Sequence, residues 1–298
     1  MNIVAAVPVG DRPLGASGEA VACHRPGRER GLPRRTAGYE EHHTVPVPAR
    51  ILASSTVRLT IGVADPIAVT RSPDGRAPVG SPSIVAGLHD APLDVEVAGV
   101  QRGVAVRCDP LLAHALLGVP MHQLRNAVVD LESILGRRAV RLADQLAHAT
   151  GWSHRFAVLE AGLAGLRAAG PTPDPEVRWA WRRIRASGGG VRVDALSDEL
   201  GWSRRHLARR FREQVGVSPK AAARIVRFER VVALLAGTHR GLADVAADTG
   251  YADHAHLSRE VRALTRWTPT ELGRGLQLAG ASYQRMSRSF KPRLPVPA

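Results

Sequence analysis

The sequence is poor in the residues on which secreted scaffolds, membrane proteins and cysteine-based metal sites depend. It contains two cysteines, Cys23 and Cys108, which are too few and too far apart for a disulfide framework or a cysteine-rich zinc site. No apolar run reaches the ~18 residues that a membrane-spanning helix needs. The first residues also lack the basic and long apolar regions of a secretory signal. We therefore expect a cytoplasmic protein without a membrane partner, a cofactor or a metal site.

Lysine is also nearly absent, although the chain is strongly basic. Lysine and arginine together number 41, of which only Lys220 and Lys291 are lysines, and the formal net charge is +14. Residues 1–175 contain 18 basic and 16 acidic side chains, whereas residues 176–298 contain 23 and 11. Charge concentrated in one part of the chain favours a nucleic-acid partner. A solvated basic surface and an arginine-rich genome are alternatives that the charge alone leaves open.

The length of 298 residues suits two domains, and the composition divides the chain into five parts. Residues 1–38 are rich in Gly, Pro and Arg and have no sustained period, which predicts a disordered or extra arm. Residues 39–169 form a first domain. Residues 170–176 are a proline-rich linker, because alternating prolines cannot continue a helix. Residues 177–275 form a second domain, and residues 276–298 form a basic tail.

The apolar period changes from two to about 3.6 within the first domain. Alternation over residues 57–63 and 93–97 predicts strands of a small β unit, with a turn at residues 72–75. Asp109 and Pro110 predict the start of a helix. Apolar residues then recur at spacings of three and four, which predicts amphipathic helices whose stripes form a core or a dimer surface. The residues concerned are Leu124, Val128, Leu131, Leu135, Leu142, Leu146, Phe156, Leu159, Leu163 and Leu166.

A short helix, a tight turn and a second helix follow the linker and a leading helix. Asp194 is suited to cap the short helix and Gly201 to end it, since glycine adopts left-handed conformations freely. Ser203 is suited to cap the next helix at once. The inward residues of that helix are Leu207, Phe211 and Val215, and the outward residues are Arg204, Arg205, Arg209 and Arg212. This pattern predicts a helix-turn-helix whose basic second helix enters a major groove.

The same pattern occurs a second time about 50 residues later, which is more specific than one isolated match. Gly201 corresponds to Gly250 at an offset of 49, and Arg209 corresponds to Arg259 at an offset of 50. The second turn therefore contains one inserted residue. Apolar residues between the copies predict a long helix that holds the two motifs at a fixed separation. These residues are Ala222, Ile225, Val226, Val232 and Leu235.

Residues 177–275 resemble the DNA-binding domain of the AraC/XylS family of bacterial transcription regulators, over about one third of the chain. The segments that carry the resemblance are residues 195–203, 211–219 and 245–251, together with Thr268 and Pro269. The resemblance implies seven helices and two helix-turn-helix units. Their recognition helices would enter successive major grooves, which lie about 34 Å apart on one face of the DNA.

The resemblance also implies which residues read the DNA bases. These positions are Arg205 and Arg209 in the first recognition helix, and His254, Ala255 and Arg259 in the second. The arginines agree with physical reasoning, because a guanidinium donates two hydrogen bonds to guanine and discriminates by about 1–3 kcal/mol. Contacts with phosphates hold the register without reading sequence. We expect such contacts from Ser203, Arg204, His206 and Arg212.

The second unit departs from the family pattern. Leu257 and Val261 stand where the family has aromatic core residues, and His254 with Ala255 offers weak base readout. Asp253 and Glu260 are expected to bring negative charge near the groove. We therefore expect the first unit to dominate sequence specificity.

An enzyme is the main alternative class, but the sequence contains few residues or motifs that would support catalysis. Some relatives of this architecture carry a DNA-repair domain with a four-cysteine zinc site, which two cysteines cannot build. No HExxH, GxSxG or Walker motif is found. His254 and His256 point in different directions on a helix and make a poor metal pair. No catalytic residue is predicted.

The sequence as a whole predicts an α+β protein. A small N-terminal β unit is followed by helices, and then by an all-α domain with two helix-turn-helix motifs joined by a long helix. The N-terminal half resembles, more weakly, the sensor or dimerisation halves of the family. We expect a sequence-specific regulator of transcription that binds double-stranded promoter DNA. RNA polymerase, a small-molecule effector and a second copy of the chain are candidate partners. A sequence-independent architectural DNA-binding protein is the alternative.

Overall fold

The computed structural model describes six stretches of the chain, which are residues 6–8, 22–24, 32–33, 35–71, 80–237 and 241–278. Most of the predicted N-terminal arm, the turn at residues 72–75 and residues 279–298 of the predicted tail lie outside these stretches.

The N-terminal half of the described chain is built on one antiparallel sheet of nine strands. The strands are β1 Ala6–Pro8, β2 Ala22–His24, β3 Arg35–Ile51, β4 Val57–Gly62, β5 Ile67–Arg71, β6 Gly80–Ser81, β7 Ile84–Ala86, β8 Leu93–Cys108 and β9 Val128–Asp130. Their main order is β1-β3-β8-β4-β7-β9, with β2 on β3 and β5 between β8 and β6. β1, β2 and the start of β3 fall within residues 1–38, so strand pairing occurs inside the stretch predicted as an arm.

The two long strands β3 and β8 form the centre of this sheet, because each pairs with different strands along its length. β3 pairs with β1 and β2, and β8 pairs with β4 and β5. β3 and β8 pair with each other along nearly their whole length, with one register shift between His43 and Val47. β4 pairs with the end of β8 and β5 pairs with its beginning. Val95, near the beginning of β8, nevertheless shares one buried cluster with Ile84 and Ala86 of β7. β7 is joined through β4 to the opposite end of β8. The sheet therefore curls around an inner face, which is the face that carries these residues.

Helices follow the last long strand. They are α1 Pro110–Leu117, α2 Leu131–Leu135, α3 Arg137–His148 and α4 Gly151–Ala169, with a 3₁₀ turn at Met121–Leu124. The predicted start of α1 is confirmed, since the Asp109 carboxylate accepts a hydrogen bond from the Leu111 N–H at 3.0 Å. All six residues of the predicted apolar stripe from Leu142 to Leu166 are buried within the chain, so this stripe forms core.

The prediction of one amphipathic helix through Leu124, Val128, Leu131 and Leu135 is wrong. Leu124 ends the 3₁₀ turn, Val128 lies in β9, and only the last two residues belong to a helix. Leu124, Val128 and Leu131 are nevertheless buried and Leu135 is partly buried. Val128 leaves the helical pattern because β9 pairs with the edge of β7. A strand can thus occupy positions whose spacing also fits a helix.

The C-terminal half is all helical. Its helices are α5 Pro175–Ala186, α6 Val193–Leu200, α7 Arg204–Val215, α8 Pro219–Gly237, α9 Leu242–Thr249 and α10 His254–Thr265, followed by a helical stretch over residues 269–278. The described part of this half therefore contains the seven helices that the resemblance implies. The fold class predicted from the sequence is confirmed. None of the helices in the described stretches is long and apolar enough to cross a membrane.

The proline-rich segment before α5 is fastened to the C-terminal helices. Residues 171–174 have no helical structure, and Pro175 occupies the first turn of α5. The Asp174 carboxylate accepts two hydrogen bonds from Arg210 at 2.8 Å each, and the Asp174 N–H donates to Gln214 at 2.8 Å. Because both partners lie on α7, the segment is held against that helix.

The loop between β3 and β4 contacts the C-terminal helices directly. Leu52 and Ala53 belong to the same buried cluster as Phe228 of α8 and Leu257 of α10. The Glu229 carboxylate on α8 accepts hydrogen bonds from the Ser55 N–H at 2.8 Å and from the Ser55 hydroxyl at 2.5 Å. The two halves of the chain are therefore joined by apolar and polar contacts beyond the linker.

Candidate nucleic-acid interface

The first helix-turn-helix consists of α6, a three-residue turn and α7. Gly201 ends α6 in a left-handed conformation, with φ 64° and ψ 22°, as predicted. The Trp202 N–H donates to the Ser197 carbonyl at 3.0 Å, which closes the turn. The Ser203 hydroxyl then accepts a hydrogen bond from the His206 N–H at 3.2 Å, which caps α7 as predicted.

The predicted capping role of Asp194 is wrong. α6 begins at Val193, so that its N-cap is Arg192, which makes no side-chain capping bond. Asp194 lies in the first turn instead, where a negative charge favours the helix dipole. Its carboxylate contacts the Arg204 Nε at 3.0 Å. Asp194 thus joins the beginnings of α6 and α7 across the turn.

The two faces of α7 differ sharply in chemistry. The inward face is fully buried, and its apolar residues are Leu207, Phe211 and Val215. The Phe211 ring packs against the Trp181 ring of α5 at a centroid distance of 6.3 Å. The outward side chains are exposed, and they are Arg204, Arg205, His206, Arg209 and Arg212. A helix anchored so firmly on one side presents its basic side to solvent at a fixed orientation.

The exposed arginines are not equivalent. Arg204 contacts Asp194, whereas among the described residues no carboxylate lies within ion-pair distance of Arg205, Arg209 or Arg212. Arg210, on the flank of the helix, is bonded to Asp174 and to Glu213 at 2.7 Å. The charge of Arg210 is thereby compensated. The guanidinium groups of Arg205, Arg209 and Arg212, at the centre of the exposed face, are available to an anionic partner.

Ser203→Ala tests how much the cap supports this helix. Loss of the capping hydroxyl is expected to reduce the free energy of unfolding by about 1 kcal/mol, because the His206 N–H loses its acceptor. Chemical denaturation of the two full-length proteins measures this change. Ser203→Asp serves as the matched control, since aspartate caps equally well and should restore stability. Equal destabilisation by both substitutions would contradict the capping role.

The second helix-turn-helix repeats the first with different residues. Gly250 ends α9 with φ 75° and ψ 29°, and the Asp253 carboxylate caps α10 by accepting the His256 N–H at 2.6 Å. Leu257 and Val261 are fully buried. The predicted base-contacting residues of this unit are exposed, and they are His254, Ala255 and Arg259.

The negative charges expected near the second groove are placed differently. The Glu260 carboxylate is bonded to the Arg224 guanidinium, which comes from the long helix α8. Its charge is therefore compensated from within the chain. The backbone N–H of His256 lowers the pKa of Asp253, so this exposed cap remains ionised. The ionised carboxylate of Asp253 therefore lies exposed at the start of α10.

The two motifs share one contact that the sequence did not predict. The Trp202 and His206 rings meet edge to face at a centroid distance of 4.5 Å, and the Tyr251 and His256 rings do so at 5.1 Å. These pairs correspond at the offsets of 49 and 50 that relate the two motifs. The sequence contains a signal for this contact, because in both motifs an aromatic residue follows the turn glycine and a histidine lies in the next helix. Both pairs brace the turn against its recognition helix.

Comparison with known proteins agrees with this geometry for the C-terminal half. The family model described as "Helix-turn-helix domain" matches residues 196–275. The uncharacterized HTH-type transcriptional regulator YbfI of Bacillus subtilis is 31% identical over 88 residues, which are 29% of this chain and 32% of that protein. The HTH-type transcriptional activator RhaS of Escherichia coli O157:H7 is 28% identical over 85 residues, 28% of this chain and 31% of its own.

The chain spans about a third of the length of the two curated relatives just named. Among solved structures, ToxT from Vibrio cholerae aligns with 80% of this chain and 97% of its own, at 12% identity and a TM-score of 0.48. The C-terminal domain of AraT, a response regulator from Geobacillus stearothermophilus, aligns with 35% of this chain and 88% of its own. Its identity is 22% and its TM-score is 0.33.

Proposed function

We propose that the protein is a sequence-specific, DNA-binding regulator of transcription, because its two helix-turn-helix units resemble the DNA-binding domain of the AraC/XylS family. The observation that carries the proposal is the exposed face of α7. Its three arginines, which have no carboxylate within ion-pair distance among the described residues, stand on a helix that is capped at its start and buried along its opposite side. The same construction recurs in α10, so that two recognition helices are available to one DNA molecule.

In the proposed complex, α7 reads bases with Arg205 and Arg209, which lie four residues apart and share a helix face. Arg212, Arg204, His206 and Ser203 contact phosphates on either side. The pairing of Arg204 with Asp194 directs that guanidinium along the edge of the helix, where a phosphate strand would pass.

α10 contributes less base readout in this proposal. His254, Ala255 and Arg259 face the second groove, and Arg259 is the only guanidinium among these three. The ion pair between Glu260 and Arg224 fixes α10 to α8 and thereby its angle of entry. The second unit thus mainly positions the protein on the duplex, while the first unit selects the sequence.

The N-terminal half is proposed as the regulatory part. Residues 39–169 would sense a small molecule, dimerise, or do both, with residues 170–176 as the linker to the DNA-binding domain. An effector acts by binding one arrangement of the two parts more tightly than another. We propose promoter DNA and RNA polymerase as partners in a bacterial cytoplasm, and no catalytic role.

Selection of DNA from a randomised pool by the full-length protein tests the proposal. Enriched sequences should share a site spanning two major-groove turns, and fluorescence anisotropy should show the enriched site binding at least tenfold more tightly than a scrambled one. The preference should persist as salt rises, although both affinities fall. If no sequence is enriched and all fragments dissociate together with salt, the protein acts as an architectural polycation and the proposal fails.

A further inference from the structure

The two helix-turn-helix units pack on different halves of the long helix α8. Its first half shares one buried cluster with Leu207 and Phe211 of the first unit. Its second half shares a separate buried cluster with Leu257 and Val261 of the second unit. Each unit is thus held to α8 by its own apolar contacts. The angle between α7 and α10 is therefore sensitive to any side chain that contacts both units.

Three arginines on α8 lie three residues apart and face the second unit. Arg224 is bonded to the Glu260 carboxylate of α10. The Arg230 guanidinium donates to the Asp248 carbonyl of α9 at 2.7 Å. Residues three apart lie on one face of a helix, so Arg227, between these two, faces the same unit.

Arg227 also contacts the turn that leads into the first unit. Its Cζ atom lies over the Tyr251 ring, 5.4 Å from the ring centroid, in the turn of the second unit. Its Nη2 donates to the Gly189 carbonyl at 3.0 Å, and Gly189 lies in the turn between α5 and α6. One planar guanidinium therefore contacts both units, through a hydrogen bond to one and a cation–π contact with the other.

The turn at residues 188–190 approaches α8 closely at the same place. Gly188 and Gly189 have φ angles of 60° and 82°, which side chains other than glycine rarely adopt. A Cβ on Gly189 would lie 2.1 Å from the Ala223 carbonyl oxygen, and a Cβ on Gly188 would lie 2.6 Å from a guanidinium nitrogen of Arg230. Arg230, like Arg227, therefore lies between this turn and the second unit.

We propose that Arg227 and Arg230 are positioning residues for DNA recognition, which fix the angle between α7 and α10 by joining the glycine turn to the second unit. A preorganised pair of helices loses less conformational freedom when both enter their grooves. DNA whose two half-sites have the matching spacing is then favoured over DNA with another spacing. The statement about DNA rests on the function proposed above, whereas the angle is a property of the free protein.

Distances between two spin labels test the angle without DNA. The labels are attached through Arg205→Cys on α7 and Ala255→Cys on α10, which are both exposed positions. The full-length protein also carries Cys23→Ser and Cys108→Ala, so that no native thiol reacts. This labelled parent should give one narrow distribution of distances between the labels.

Three variants of the labelled parent are compared with it. Arg227→Met combined with Arg230→Met removes both guanidinium groups and should widen or shift the distance distribution. Gly189→Ala keeps every charge but forces the turn away from α8, and it should have the same effect. Lys220→Met removes a charge from the exposed start of α8 and should leave the distribution unchanged. Equal helix content by circular dichroism shows that folded proteins are being compared.

Duplexes of altered spacing test the consequence for DNA in the protein without labels. The site enriched from the randomised pool is lengthened or shortened by one base pair between its half-sites, which rotates one half by about 35°. The wild type and Lys220→Met should bind the altered sites about tenfold more weakly than the original. The double arginine variant and Gly189→Ala should discriminate by about threefold or less, because their recognition helices can adjust.

The positioning role is wrong if the folded double variant keeps the distance distribution of the parent, or, where that variant loses helix content, if Gly189→Ala keeps it. It is also wrong if the double variant weakens binding to every duplex equally and retains the spacing preference, since the arginines then act as phosphate contacts. A pool from which no sequence is enriched contradicts the proposed function. In that case the distance distributions still decide whether the two arginines fix the angle.

Discussion

Arg209→Ala is expected to lose the sequence preference of the protein while non-specific DNA binding persists. Arg209 is exposed on α7, and among the described residues no carboxylate competes for its guanidinium. Loss of a bidentate contact with guanine removes about 1–3 kcal/mol of discrimination, which corresponds to roughly a 5- to 150-fold loss of affinity for the selected site. Affinity for a scrambled site should change much less.

The comparison that isolates base readout is Arg212→Ala on the same helix. If Arg212 contacts a phosphate, its removal weakens binding to selected and scrambled DNA alike and reduces the slope of affinity against salt by about one unit. Anisotropy titrations at two salt concentrations measure both quantities. Equal, uniform weakening by the two substitutions would show that Arg209 also acts as a simple counter-charge, and would remove α7 as the sequence reader.

Arg50→Ala is expected to produce a large loss of stability, because Arg50 joins the sheet to the second helix-turn-helix. Its guanidinium donates to the Asp94 carboxylate at 2.6 and 3.1 Å and to the Thr265 carbonyl at 3.3 Å, and it stacks over the Trp267 ring at 4.7 Å. The two charged side chains are only 10% and 17% exposed. Removing one partner of such a pair costs about 3 kcal/mol or more.

Arg102→Ala is the matched control for Arg50→Ala. Arg102 pairs with Glu40 across the same two strands, but at 3.7 Å and with both side chains 40% or more exposed. Its loss should cost less than about 1 kcal/mol in chemical denaturation. Hydrogen exchange gives the second readout, because Arg50→Ala should increase exchange in residues 254–278 as well as in the sheet. An increase confined to the sheet would contradict the role of Arg50 as a connection between the two halves.

The helices and turns of the C-terminal half could be predicted from the sequence, because local interactions determine them. Gly201 and Gly250 adopt the left-handed conformations predicted for them, and Ser203 caps its helix. These features depend on a few neighbouring atoms, so residue type decides them. The repeat made the prediction stronger, because two copies with one insertion restrict the alternatives more than one copy does. The matches to known helix-turn-helix proteins confirm the resemblance of this domain.

The structure of the N-terminal half was harder to predict from the sequence, because it depends on pairing between strands that are far apart in the chain. Val128 has helical spacing with Leu124 and Leu131, yet it joins β9, because the edge of β7 lies beside it. The strands β3 and β8 extend to 17 and 16 residues, beyond what short alternating runs suggest. The roles of the predicted DNA-contacting residues and the domain limits stay predictions.

The sequence alone determined the fold class, the two helix-turn-helix motifs, and which faces of α7 and α10 are buried or exposed. Those properties follow from periodicity, from turn residues and from charge along one helix, all of which are local. Tertiary structure decided which charges are available. It paired Glu260 with Arg224, Arg210 with Asp174 and Arg50 with Asp94. These partners lie far apart in the chain, and Coulomb interactions depend on distance in space rather than in sequence.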